Sequence, residues 1–206
     1  MDTMKIICIG RNYRDHAKEL NNPVPVKPLV FMKPPSALLI KNKPMYIPDF
    51  TKNLHYEAEI VLKICKNGKH VQSEFAKKYY KEIAFGIDFT ARDLQDQCKA
   101  KGHPWEIAKA FDNSAALSEF ISLGKVNQAA GIKFQMKKNG EVVQDGNTKY
   151  LIFDFDYLIC YVSKFFKLQM GDYIYTGTPA GVGPVQIGDK LEGFIEGEKL
   201  MDCQIR

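Results

Sequence analysis

NLHYEAEIVLKI, residues 53–64, decides the fold class. From Glu57 to Ile64 it is rich in β-branched and aliphatic residues and has the length of one strand. Side chains alternate along a strand, so Glu57 and Glu59 fall on one face, and His55 joins them there. Two carboxylates inside an apolar strand are costly to bury without partners, and a cation is the economical explanation. A solvated edge strand is the plainer alternative, and spacing alone leaves both open.

Downstream, Ile83 to Phe89 reads as a second buried strand, with Asp88 at its end as a third carboxylate. Asp88 could equally cap the polar helix expected over Ala91 to Ala100, which stops before Gly102. Together with the two glutamates it forms an all-oxygen set too small to fill an octahedron. Such a set suits Mg²⁺ or Mn²⁺, with Ca²⁺ also admissible, and leaves positions for water and substrate oxygens. His55 reads as a supporting or structural residue, because hard oxygen sites seldom recruit imidazole.

Upstream, Met4 to Ile9 predicts a strand entering a turn at Gly10. Asn12 is placed to cap a helix from about Tyr13 to Leu20, closed by Asn21, Asn22 and Pro23. On it His16 and Glu19 are spaced i, i+3 and share a face, where the carboxylate would orient the imidazole as a base toward water. A surface pair is the alternative. Seven prolines between Pro23 and Pro48 exclude helix there and leave short strands at Leu29 to Met32 and Ala37 to Ile40.

The rest of the chain is read in the same way. Glu74 to Lys81 has a helical pattern, and Lys133 to Met136 with Glu141 to Gln144 flank a hairpin turn at Asn139 and Gly140. From Asp154, the positions Tyr157, Leu158, Tyr161, Val162, Phe165 and Phe166 recur at helical spacing and predict a stripe packed into the core. Glycine-punctuated short runs close the chain. The whole is a mixed α+β pattern weighted to β, without regular βαβ alternation, in one domain over residues 1–206.

Three further spots could hold an anion. Lys109 sits between Trp105 and Phe111, where a desolvated ammonium would face an anionic oxygen. Arg92 and Gln95 lie one helical turn apart just after Asp88. TGTPAGVGP, residues 176–184, offers main-chain N–H groups and the Thr178 hydroxyl.

Composition narrows the classes. With 45% hydrophobic and 26% charged residues, the 206-residue chain has globular proportions, and no apolar run approaches the ~20 residues that cross a bilayer. Neither a secretory nor a transit pattern is read at the N-terminus, so a cytoplasmic protein is expected. Five scattered cysteines without CxxC give neither a disulfide framework nor a cysteine zinc site. The net charge of +5 is spread too evenly for a nucleic-acid surface. HExxH, GxSxG, GxGxxG and an EF-hand loop are absent, and GPVQIGDK, residues 183–190, fails as a P-loop because Asp189 stands where lysine is required.

Taken together, IGRNYRDHAKEL (9–20), PLVFMKPPSALL (28–39), NLHYEAEIVL (53–62), GIDFTARDLQ (86–95), KGHPWEIAKAFD (101–112) and GDYIYTGTPAGVGPVQIGD (171–189) resemble the fumarylacetoacetate hydrolase family, in particular its small acylpyruvase-like members. The resemblance implies a β-rich roll with flanking helices, usually a homodimer, and one divalent metal per site. It places metal ligands at Glu57, Glu59 and Asp88, a base dyad at His16 and Glu19, and an active-site lysine at Lys109. Substrate contacts fall on Arg92, Gln95 and Thr178, with Arg11 and Tyr13 lining the same motif. Departures at Ala116 and in TKYLIFDFD touch none of the metal positions. The implied activity is metal-dependent hydrolysis of the carbon–carbon bond of 2,4-dioxo acids to pyruvate and a carboxylic acid. Isomerisation of a 2-hydroxyhepta-2,4-diene-1,7-dioate or decarboxylation of oxaloacetate are alternatives through the same enolate chemistry. The partner expected is a small 2-oxo acid, with neither nucleic acid nor membrane.

Overall fold

The computed structural model describes residues 4–20 and 23–206. In chain order the elements are β1 (Ile6–Gly10), α1 (Arg14–Glu19), β2 (Leu29–Lys33), β3 (Leu38–Ile40), β4 (Leu54–Tyr56), β5 (Ala58–Ile64), β6 (Tyr80–Asp88) and β7 (Thr90–Ala91). There follow α2 (Arg92–Lys101), α3 (Glu106–Lys109), β8 (Ala115–Leu117), β9 (Ile121–Ser122), β10 (Lys133–Lys138), β11 (Glu141–Asn147) and α4 (Phe155–Phe165). The chain closes with β12 (Tyr173–Tyr175), β13 (Gly183–Pro184), β14 (Lys190–Ile195) and β15 (Glu198–Gln204).

A mixed sheet in the order β2-β1-β12-β5-β6-β8-β3, with β9 on β6, forms the frame. It curls, so that Lys33 on β2 at one edge reaches Ser114 just before β8 near the other. A four-stranded antiparallel sheet, β11-β10-β14-β15, packs against it through Phe85 and Phe134, whose ring centroids are 6.5 Å apart. Gly193 of β14 faces Phe85 so closely that an added Cβ would lie 2.3 Å from the ring, so only glycine lets the two layers meet there. A small third sheet joins β13, β4 and β7. The architecture is mixed α+β with a curled sheet and few helices, as expected, and the helices lie at the sheet's ends and flanks.

Local readings held where the signal was local. Asn139 and Gly140 turn the β10–β11 hairpin with φ of 54° and 90°, the left-handed pair that a two-residue loop needs. Asp154 caps α4 by accepting the Tyr157 N–H at 2.8 Å, and Gly102 closes α2 with φ 66°. The β5 strand starts at Ala58, leaving Glu57 in the one-residue break after β4.

Three expectations are corrected and one is left open. Asn12 does not cap α1: the cap position is Tyr13, without a side-chain bond, and Asn12 is spent elsewhere. Asn21 and Asn22, read as closing that helix, lie outside the described residues. The 74–81 segment is a 3₁₀ turn over Ser73–Lys78, and the chain re-enters a strand at Tyr80. The helix α4 buries Leu158, Ile159, Val162 and Ser163, whereas Tyr157 and Phe165 are 46% and 56% exposed. Its aromatics run along the flank, with centroid spacings of 6.2 Å for Tyr157–Tyr161 and 5.3 Å for Tyr161–Phe165.

Candidate active site

Strand pairing assembles the carboxylates. β5 and β6 run antiparallel with Ala58 opposite Ile87, and the Asp88 N–H donates to the Glu57 carbonyl at 2.8 Å. Glu57 and Asp88 therefore face each other across the ladder, and Glu59 lies two residues along on the same face. All three are buried, with ligand oxygens within 4.8 Å of one another. That separation is about twice the roughly 2.3–2.6 Å bond from Ca²⁺ to oxygen, and a small inward shift of the side chains would match the roughly 2.1 Å bond of Mg²⁺. A solvated edge strand is thereby excluded, and Asp88 caps no helix, since the cap position of α2 is Ala91.

Cations surround two of the three acids. Lys109 Nζ lies 2.8 Å from Glu57 Oε2 and 2.7 Å from Asp88 Oδ2. Arg92 donates to Glu57 Oε1 at 2.6 Å and to Gln95 Oε1 at 2.6 Å. Burial pushes the Glu57 carboxyl up, but Lys109 and Arg92 outweigh it and hold the group well below the usual carboxylate range. For Lys109, burial pulls down while Asp88 and Glu57 push up more strongly, which keeps it an ammonium. Glu59 differs: its one hydrogen-bond partner among the described residues is the Gly177 N–H, at 2.6 Å. Burial, then the Asp88 charge, raises it well above the ordinary value. A buried carboxylate answered by a single main-chain N–H, beside two further acids, is the donor set that a hard divalent cation satisfies.

The parallel pairing of β1 with β12 brings the turn after Gly10 beside the loop after Tyr175. Arg11 takes a φ of 59° and turns the chain so that α1 lies across the mouth of the site. His16 is buried, with Nδ1 3.3 Å from Glu19 Oε2. A carboxylate only accepts, so the Nδ1 proton points at Glu19 and Nε2 is the free base. Burial lowers the His16 pKa, and the charges of Glu57 and Glu19 restore part of it. Glu19 Oε1 accepts the Gly181 N–H at 2.9 Å, which ties α1 to the glycine-rich loop.

The remaining expected residues cluster around this core. Gly10, Arg11, His16, Glu57, Arg92 and Gln95, with Phe31, Lys99, Trp105 and Lys109, line a narrow cleft of about 30 Å³. Thr178 is buried, and its Oγ1 accepts from Gln144 Nε2 at 2.8 Å. Tyr13 is buried against Phe134 and does not line the cleft; it faces the neighbouring pocket beside Pro179 and Ala180. His55 stays outside the acid cluster. Its Nε2 meets Asn53 Oδ1 at 2.9 Å, and burial, then the Arg92 charge, depresses it to about 4.

Two residues escaped the sequence reading. Lys33, fully buried, lies 2.8 Å from Asp88 Oδ1 and donates to Ser114 Oγ at 2.9 Å and to the Lys109 carbonyl. The one trace of it was a lysine closing the otherwise apolar run LVFMK. Gln144, besides holding Thr178, accepts the Ala58 N–H at 2.8 Å between the two glutamates.

With this geometry in place, comparison with known proteins is informative. The family model for the fumarylacetoacetate (FAA) hydrolase C-terminal region matches residues 5–206. The mitochondrial oxaloacetate tautomerase of Bos taurus is 42% identical over 97% of this chain and 90% of its own length. The crystal structure of fumarylpyruvate hydrolase from Pseudomonas aeruginosa, in complex with Mn²⁺ and pyruvate, superposes with a TM-score of 0.92 at 34% identity, covering 98% of this chain and 89% of the other. That of 2-hydroxyhepta-2,4-diene-1,7-dioate isomerase from Mycobacterium marinum gives 0.84 at 30% identity, covering 98% and 74%. Among the described residues, no helix is long and apolar enough to cross a membrane.

Proposed function

The chain belongs to the fumarylacetoacetate hydrolase family, and from that premise we propose that it is a divalent-metal-dependent enzyme acting through the enolate of a small 2-oxo acid, with keto–enol tautomerisation of oxaloacetate as its reaction. The observation that carries the reading is His16, held by Glu19, in the wall of a cleft that Glu57 also lines, with Glu59 and Asp88 gathered within 4.8 Å of Glu57. Oxaloacetate is favoured by the tautomerase of Bos taurus, similar over nearly its whole length.

A divalent cation on the three carboxylates, Mg²⁺ by proposal with Mn²⁺ or Ca²⁺ in the same class, supplies the Lewis acidity that stabilises negative charge on the 2-oxo group. The chain's own residues do the rest. His16 Nε2 moves the proton between the carbon next to the 2-oxo group and the enol oxygen, taking it from one and delivering it to the other, while Glu19 stabilises the imidazolium between the two steps. The Lys109 ammonium lies within the acid cluster, where it stabilises developing oxyanion charge. Gln95 spends its carbonyl oxygen on Arg92, which leaves its amide N–H groups for the substrate carboxylate.

Hydrolysis of acylpyruvates is the second reading. The same dyad can take a proton from water instead of carbon, and the Pseudomonas aeruginosa hydrolase in the comparison holds pyruvate. One experiment separates the readings. Purified protein with Mg²⁺, and with EDTA as control, is assayed for loss of enol-oxaloacetate absorbance, for oxaloacetate decarboxylation and for pyruvate release from acetylpyruvate. Metal-dependent tautomerisation above the spontaneous rate, reduced about 100-fold or more in His16→Ala, is expected. Pyruvate release without tautomerisation would overturn the first reading in favour of the second.

A further inference from the structure

The buried acids and bases around the carboxylate cluster are equal in number. Among the described residues the buried lysines and arginines are Lys33, Arg92 and Lys109, and the buried acids are Glu57, Glu59, Asp88 and Asp172. Asp172 belongs elsewhere, 2.7 Å from Lys5. Three cations therefore face three carboxylates. Arg92 and Lys109 line the cleft, but Lys33 does not. It crosses the interior from β2 with no exposed side-chain surface, 2.8 Å from Asp88 Oδ1. Its other partners are the Ser114 hydroxyl at 2.9 Å, the Ser114 carbonyl at 3.1 Å, the Phe89 carbonyl at 3.4 Å and the Lys109 carbonyl. Oxygens on every side fix it, and it has no path to solvent.

We infer that Lys33 is a built-in counter-cation that makes the carboxylate site hold a divalent ion tightly only together with a dianionic ligand. The inference rests on the metal-dependent reading above. With a divalent ion on the three ionised carboxylates, the three cations leave the site a net charge of two, and in a buried, low-dielectric setting that excess is costly. A monoanion cancels half of it. A dianion, such as a carboxylate plus enolate or two carboxylates, cancels all of it. Were Lys33 absent, only two cations would face the three carboxylates, and the ion would leave the site a net charge of one instead of two. Ion and substrate are thus loaded as a pair, and simple monocarboxylic acids are discriminated against by charge.

The test uses Mn²⁺ alone as probe, with affinity read by calorimetry or by the electron paramagnetic resonance of free Mn²⁺. Oxalate, a planar dianion, is compared with oxamate, a monoanion of nearly the same shape, each corrected for its affinity for free Mn²⁺. On the wild-type chain oxalate is expected to tighten Mn²⁺ at least tenfold and oxamate less than threefold. In Lys33→Met, Mn²⁺ alone should bind at least fivefold tighter, and the oxalate effect should fall below threefold. Thermal melts establish that the variant is folded, and Lys33→Gln, which keeps a donor for Ser114, replaces it if it is not. Equal tightening by both anions, or a folded variant with unchanged or weaker Mn²⁺ binding, overturns the inference. Failure of Mn²⁺ to bind under every condition would instead remove the metal-dependent reading beneath it.

Discussion

Glu19 holds His16 from a fixed point: one carboxylate oxygen lies 3.3 Å from His16 Nδ1 while the other accepts the Gly181 N–H at 2.9 Å. The base is therefore oriented by a helix residue that is itself anchored to the loop across the site. Glu19→Ala should lower kcat by about 10²-fold, the scale of a positioned general base, with little change in KM. Steady-state kinetics on oxaloacetate check it. A rise in KM with kcat unchanged would mean that Glu19 only closes the cleft.

The same pair sets the pH dependence. Burial lowers the His16 pKa and Glu19 raises it in part. A base works only when neutral, so kcat/KM should rise with pH along an acid limb centred below the ordinary histidine value of about 6.5. Removing Glu19 takes away a raising influence, and the limb of Glu19→Ala should move to lower pH even as its plateau falls. A wild-type limb at or above 6.5 would contradict the assignment of His16 as the base.

Glu59→Gln should separate ion binding from folding. Amide for carboxylate keeps an acceptor for the Gly177 N–H at nearly the same volume but removes a charge that burial and Asp88 disfavour. A carboxyl raised in the fold contributes stability that is present below its unfolded value near 4.5 and is lost as pH rises through the folded value. Without added metal and with EDTA, the variant should therefore melt at the same or a higher temperature than wild type at pH 7. Its Mn²⁺ affinity should fall by at least 100-fold. A lower melting temperature would show that Glu59 is ionised and satisfied without an ion.

These cases mark what a single sequence discloses. Glu57 and Glu59 were legible as neighbours because strand alternation is a local rule, and Asp88 because an apolar run ended on it. Their convergence depended on the Ala58–Ile87 register, which no local rule supplies. The stripe on α4 was right for Leu158 and Val162, which are buried, and wrong for Tyr157 and Phe165, which lie on the exposed flank, since periodicity marks a face without fixing its edges. Lys33 was invisible because its partners Asp88 and Ser114 lie 55 and 81 residues away, across a curl that only the assembled sheet creates.

Asn12 is the sharpest instance and gives the most direct stability test. An asparagine just before a helix is read as a cap, yet its side chain bridges two distant segments. Oδ1 accepts the Phe153 N–H at 2.8 Å, and Nδ2 donates to the Phe153 carbonyl at 2.9 Å and to the Thr176 carbonyl at 2.8 Å. All three bonds are buried, so Asn12→Ala leaves one donor and two acceptors without partners and should cost about 3–5 kcal/mol. For a chain of this size that is a drop of roughly 10 °C in melting temperature. Asn12→Asp keeps the bond from Phe153 N–H but sets an anion against two carbonyls, and should be no more stable. A lost cap would cost only about 1 kcal/mol, so the size of the drop decides between the two roles. Because Thr176 precedes the residue whose N–H holds Glu59, the Asn12 variants that remain folded should also bind Mn²⁺ more weakly. A pure capping role would leave that affinity unchanged.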